Sequence, residues 1–131
     1  MAKPPNGTRG SEAIEFALVL PVFLMFVLGI ADCARLIWTN TTLAQATAVA
    51  ARCGAINTSL CGTSSLVASY AAAQAVGLGL TSAAFTVSTQ ACGTQVAGTM
   101  TYQFFIPWFY GASPFGASNQ LTLHAVSCYP L

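Results

Sequence analysis

Hydrophobic and polar positions change their spacing twice along this chain. Residues 3–10, Lys-Pro-Pro-Asn-Gly-Thr-Arg-Gly, combine prolines, glycines and two bases, which predicts a solvated, unfolded lead-in. Sixteen uncharged, mostly apolar residues then run from Phe16 to Ala31. With Ala13 and Ile14 the stretch is nineteen positions long, interrupted only by Glu15. That is roughly 28 Å of helix, about the thickness of a bilayer's hydrocarbon core. The pattern predicts one transmembrane helix over about 13–31. A cleaved secretory signal has a shorter apolar core and a small-x-small cleavage site. This run instead flows into Asp32-Cys33-Ala34-Arg35-Leu36-Ile37-Trp38 without a breaker. Residues 44–52 are rich in alanine, the best helix former, and Gly54 offers a C-terminal stop. One helix is therefore expected over 11–53, roughly 60 Å long and about half in lipid. Leu36, Leu43 and Ala50 recur every seven residues, and Val49 and Cys53 extend that apolar face.

Residues 57–65 read as a polar loop. Ser64 or Ser65 can cap a second helix over 66–76, with Leu66, Val67, Tyr70, Ala73 and Val76 available for its buried face. Gly77-Leu78-Gly79 ends it. The spacing then becomes period two. Phe85 and Val87 alternate with Thr86 and Ser88. Val96, Gly98, Met100, Tyr102, Phe104 and Ile106 alternate with polar or small neighbours, as do Leu121, Leu123 and Ala125. Three strands are expected, over about 84–91, 95–106 and 119–128, the first two joined by a hairpin at Gly93. The predicted fold class is α+β: a long N-terminal transmembrane helix continuing outside the membrane, a second short helix and a three-stranded antiparallel sheet. Three parts follow: a solvated lead-in over 1–10, the long helix over 11–53, and an external α+β domain over 54–131.

Composition narrows the function. The chain is 55% apolar and 5% charged, where an average soluble domain is about 25% charged. A net charge of +1 gives no electrostatic footprint for nucleic acid. Every charge lies at or before Arg52, so the rest holds no Asp, Glu, Lys or Arg. Acid–base catalysis needs paired groups with separated pKa values, and no enzyme, cofactor or metal site is expected. Lys3 and Arg9 before the apolar run place the N-terminus in the cytoplasm.

Four cysteines lie beyond the membrane segment: Cys53, Cys61, Cys92 and Cys128. Four allow three pairings. With the second strand central in a meander, Cys92 and Cys128 reach the same edge of the sheet, which predicts Cys53–Cys61 and Cys92–Cys128 in an oxidising periplasm. Free buried cysteines are the alternative, and no short C-x₂₋₄-C pair supports zinc. Cys33 is expected to be a small buried residue near the outer membrane boundary. His124, alone on the polar side of a strand, reads as a surface residue. Asn40-Thr41-Thr42 and Asn57-Thr58-Ser59 match glycosylation acceptors but are frequent by chance. Trp108, Phe109, Tyr110 and Phe115 on the proline-rich loop can form an exposed contact patch.

Glu15 is the odd residue of the apolar run. A carboxylate there is costly and marks function, unless it is solvated at the headgroup level near the helix N-terminus. The run Gly10-Ser11-Glu12-Ala13-Ile14-Glu15-Phe16 resembles a type IV pilin processing site. In that family a prepilin peptidase cuts after a glycine on the cytoplasmic face, a glutamate stands fifth in the mature chain, and in the Flp/Tad branch an aromatic stands sixth. Cutting after Gly10 makes Ser11 first, Glu15 fifth and Phe16 sixth, and by this resemblance residues 1–10 become a cytoplasmic leader. The stretch through Pro21, with Gly29-Ile30-Ala31-Asp32-Cys33-Ala34-Arg35-Leu36, is similar to TadE-like pilus-assembly proteins, minor pseudopilins of tight-adherence pili. Their usual Glu-Phe/Tyr-Gly-Arg appears here as Asp32-Cys33-Ala34-Arg35, with acid and base at the same spacing.

The resemblance implies a pilin-like subunit of the inner membrane, processed by prepilin peptidase and acting in assembly or priming of a filament. Its partners would be the peptidase, other pilins or copies of itself. The new amine on Ser11 would pair with Glu15 of a neighbour, and Pro21 would either bend the helix or simply be tolerated. Two alternatives remain: the major filament subunit, and an uncleaved single-span envelope protein with a ligand-binding external module.

Overall fold

The computed structural model describes residues 8–105 and 120–130. Its first element, α1, runs unbroken over Thr8–Ile56 for 49 residues, about 73 Å. Pro21 stands inside it without ending it. α1 is three residues longer than expected at each end. Gly54 does not stop it: the Asn57 N–H still donates to the Cys53 carbonyl at 2.8 Å, one full turn back. That glycine serves packing instead. A Cβ there would lie 3.0 Å from the Thr94 methyl and 3.1 Å from Val67.

The second half of α1 carries the core. Its covered stripe is Asp32, Thr39, Leu43, Ala46, Thr47, Ala50 and Ala51, with Leu36 and Cys53 packed beside it. Leu43 and Ala50 take the expected positions. Val49 does not, being 43% exposed, because the covering elements sit over the small residues Ala46, Thr47 and Ala50.

The polar loop after α1 contains a further single-turn helix, α2 (Thr58–Cys61), whose N-terminus is capped by the Asn57 side chain accepting from the Leu60 N–H at 3.1 Å. α3 (Ser64–Gln74) is capped by Thr63 rather than by Ser64 or Ser65. Its buried face also differs from the expected one. Val67, Ala68, Ala71 and Ala75 point inward, while Leu66, Ala73 and Val76 are exposed. Alanines let α3 lie close against α1 and against the first strand, and that proximity outweighs burial of the larger Leu66 and Val76.

A 3₁₀ turn (Ser82–Ala84) leads into β1 (Phe85–Gln90), β2 (Gly93–Gln103) and β3 (Gln120–Tyr129), an antiparallel sheet of order β1-β2-β3. The alternation predicts the inward row correctly. Phe85 and Val87, then Val96, Gly98, Met100 and Tyr102, then Leu121, Leu123 and Ala125 face α1 and α3. The strands run along α1, since Thr94 lies beside Gly54 and Tyr102 beside Asp32. The sheet also comes close to α1 at Gly98, opposite Phe85 and Ala125. A Cβ there would lie 2.9 Å from the Phe85 ring and 3.1 Å from Leu43.

Cys53 bonds Cys61, joining the end of α1 to α2, and Cys92 bonds Cys128, tying the β1–β2 turn to the end of β3. Gly93 makes the second bridge reachable. Its φ of 117° suits only glycine, and a Cβ would collide with the Tyr129 carbonyl.

Two stability predictions follow from this packing. Gly98→Val should overfill the helix–sheet contact and cost about 1–3 kcal/mol, read as a lowered thermal midpoint in detergent. The disulfides close chain segments of 36 and 8 residues. Chain entropy then assigns about 4 kcal/mol to Cys92–Cys128 and about 2.5 to Cys53–Cys61. Serine pairs at each bridge, compared by denaturant unfolding, should show the larger loss at Cys92 and Cys128.

Candidate functional site

The N-terminal candidates lie on the first turns of α1. Gly10, Ser11, Glu15 and Phe16 are all exposed. Ser11 and Glu15 are one turn apart on the same side. A Cβ built at Gly10 meets nothing within 4 Å, so the fold itself has no use for a glycine there. A glycine inside a helix costs about 1 kcal/mol relative to alanine. From Ile14 to Ile30 the large apolar side chains stand uncovered, and the most apolar stretch of α1 is 0% buried. By length and composition α1 is a helix able to cross a membrane.

Where that apolar run ends, a polar cluster gathers on Asp32. Asp32 is buried, its side chain 8% exposed. Its Oδ1 accepts the Tyr102 hydroxyl at 2.9 Å, and its Oδ2 accepts the Phe105 backbone N–H at 3.0 Å. The same hydroxyl lies 3.2 Å from the Asp32 carbonyl. Arg35, one turn on, reaches Oδ1 at 3.8 Å and lays its guanidinium over the Phe105 ring, 4.2 Å from the centroid. Tyr102 meets Phe104 edge to face at 5.0 Å. Asp32 and Arg35 stand out in the sequence as an acid and a base of recognisable spacing. Their partner Tyr102 reads there only as one core aromatic among several. The signal that identifies it is a hydroxyl on the inward row of a strand, facing an acid that closes an apolar run.

Burial, and then the Asp32 carboxylate at its oxygen, hold the Tyr102 phenol above its ordinary value of 10.0. A raised folded-state value favours the protonated, donating form. The cluster's contribution is therefore complete below pH 10 and is lost as pH climbs through the raised value. Tyr102→Phe should cost about 1–3 kcal/mol at neutral pH, since it leaves the carboxylate short of a donor. Denaturant unfolding of both chains across the alkaline range should show that difference closing above pH 10, the ordinary phenol value.

The remaining candidates are dispersed. Cys33, expected to be buried, is exposed and free. It follows Asp32 directly and so points about 100° away from the covered stripe. His124 is exposed on the outer face of β3, opposite Thr99. The oxygen of Asn57 caps α2 and accepts the Ser59 hydroxyl at 2.7 Å. Trp108, Phe109, Tyr110 and Phe115, like the leader residues before Thr8, lie outside the described residues. Among the described residues no three His, Cys, Asp or Glu side chains gather as metal ligands would.

The family model described as TadE-like protein matches residues 10–52. No curated protein and no solved structure matches the chain. The matched stretch begins at Gly10, includes Glu15, Asp32 and Arg35, and ends with the last charged residue of α1, leaving α3 and the sheet outside it. Over residues 10–52, most of its long helix, the chain is similar to the TadE-like proteins.

Proposed function

We propose that this chain is a minor pseudopilin of a Tad-type pilus, acting in assembly or priming of the filament. It is made as a single-span inner-membrane precursor with a cytoplasmic leader over 1–10 and a periplasmic α+β domain over 54–131. The observation that carries the reading is the placement of Gly10-Ser11-Glu12-Ala13-Ile14-Glu15-Phe16 at the head of one continuous helix whose next stretch has no cover among the described residues.

Gly10 lies in the first turn of α1, where backbone N–H groups lack intrahelical partners and the turn opens at little cost. A prepilin peptidase would hydrolyse the Gly10–Ser11 bond there, and the glycine that packing does not require becomes the residue the peptidase reads. Hydrolysis leaves a cationic amine on Ser11. In a bundle of apolar helices that amine and the Glu15 carboxylate of a neighbouring subunit neutralise each other, which sets the axial register of one helix against the next. Pro21 removes one helical hydrogen bond, so it supplies a point of bending within the membrane.

The N-terminal residue and intact mass of the protein from native membranes test this reading. Chains beginning at Ser11 should accumulate only when prepilin peptidase is present, and Glu15→Ala should then be processed yet absent from assembled complexes. A chain that keeps its leader with the peptidase active would sink the pilin reading in favour of an uncleaved envelope protein. Abundance of the mature chain in sheared filaments would instead mark it as the major subunit.

A further inference from the structure

We infer that the end of the sheet nearest the apolar run is a lipid-contacting surface: Phe105, Arg35 and Trp38 lie in the headgroup layer, so the folded unit sits directly on the bilayer with no stalk between. The inference rests on the membrane-spanning assignment of the apolar half of α1 and adds where the external unit stands relative to the lipid.

The height of these residues is fixed by Asp32. It is the first residue after the apolar run, so it marks the outer edge of the hydrocarbon. Its Oδ2 holds the Phe105 N–H at 3.0 Å, which brings the end of the sheet to that edge. Phe105 is nevertheless 74% exposed, with the Arg35 guanidinium over its ring. Arg35 lies about 4.5 Å further along α1 and Trp38 about 9 Å, the depth range of the headgroups. Trp38 is 67% exposed. It lies about 60° from Arg35 around the helix, so the two share a side.

An exposed phenylalanine, an arginine whose guanidinium lies over its ring, and an exposed tryptophan within two turns of helix match the requirements of an interface. The rings dissolve in the headgroup region, and the guanidinium reaches phosphate while its stem covers apolar surface. In water the same group would be a costly apolar patch beside a charge. Continuity with the uncovered apolar half of α1 selects lipid as the occupant, because the same side chains that need hydrocarbon end where these begin.

Single-tryptophan variants of the full chain, made with Trp38→Phe and Trp108→Phe and reconstituted into phosphatidylethanolamine–phosphatidylglycerol vesicles, test this. Phe105→Trp is read against Ile56→Trp, at the far end of α1 and also exposed, and against Phe26→Trp inside the apolar run. Phe105→Trp should lose emission to lipids carrying a nitroxide near the headgroup and should be shielded from aqueous iodide. Ile56→Trp should show the reverse, and Phe26→Trp should respond to a nitroxide deep in the acyl chain. Iodide quenching of Phe105→Trp equal to that of Ile56→Trp, with Phe26→Trp still quenched from within the bilayer, would overturn the inference and leave the span intact. Loss of quenching at Phe26→Trp as well would instead remove the spanning assignment. Retaining the native Trp38 as the sole tryptophan provides a second reading of the same surface without altering Phe105, and it should give the headgroup pattern too.

Discussion

A buried carboxylate must have its oxygens satisfied, and at Asp32 that requirement joins the two halves of the molecule. An unpaired charge removed from water costs several kcal/mol. Here one oxygen takes the Tyr102 hydroxyl, the other takes a backbone N–H from the end of β2, and Arg35 keeps a cation within reach on the solvent side. Among the described residues no buried side-chain polar atom lacks a partner. Sliding the sheet along α1 would separate Tyr102 and Phe105 from Asp32 and strand the carboxylate. Asp32 thus sets the register of sheet on helix. It also divides the helix, because the sheet ends there and the apolar residues before it are left uncovered.

The two halves of α1 answer opposite demands with opposite side chains. In lipid nothing is gained by small residues unless another helix approaches, and residues 14–30 are accordingly large: Phe16, Leu18, Phe23, Phe26 and their neighbours. Beneath the sheet the stripe is Leu43, Ala46, Thr47, Ala50 and Ala51. Small residues bring the strands near, and Gly98 receives Leu43 where any Cβ would crowd it. Thr47 fits because its hydroxyl returns to the Ala44 carbonyl at 2.8 Å and lies 3.2 Å from the Ser127 hydroxyl. A core of alanines buries little apolar area per residue. Cross-links that restrict the unfolded chain therefore carry a large share of the stability, and each of the two joins elements that the core holds only thinly.

What the sequence discloses follows from how local each cause is. The inward rows of the three strands are readable because the sheet has one covered face, so side chains alternate with period two. The pairing of Cys92 with Cys128 is readable because a meander with β2 central leaves those ends together. The span of α1 is readable because apolar and alanine-rich stretches follow one another from Ser11 to Cys53, and the single proline between them, Pro21, does not end the helix. The face of α3 is not, since counting large apolar residues favours Leu66 and Val76, whereas close approach to α1 selects Ala68, Ala71 and Ala75. Gly54 has the look of a stop and is a spacer, because its neighbours Thr94 and Val67 come from distant parts of the chain. Tyr102 stands 70 residues from Asp32. No local pattern links them, and the cluster on Asp32 becomes visible only when the sheet is laid on the helix.

Charge is confined to the long helix and the residues before it. Beyond Arg52 the chain carries none, and the outer face of the sheet presents Thr86, Ser88, Thr99, Thr101, Thr122 and His124 instead. Hydroxyls keep such a face wet while it is free. They are also cheap to cover, because a neighbour's hydroxyl or carbonyl replaces water bond for bond and no ion must be dehydrated. A freely diffusing domain gains solubility from scattered charges, and this one forgoes them. For a subunit destined to be packed among others, a charged surface would oppose each new contact with desolvation and repulsion. An uncharged polar surface leaves the choice of register to the few groups that must be matched. On the proposed reading those groups are Glu15 against a neighbour's Ser11 amine within the helix bundle. Asp32 with Tyr102 does the same work inside each chain, so every subunit would present its outer faces at one fixed height above the helix it shares with the rest.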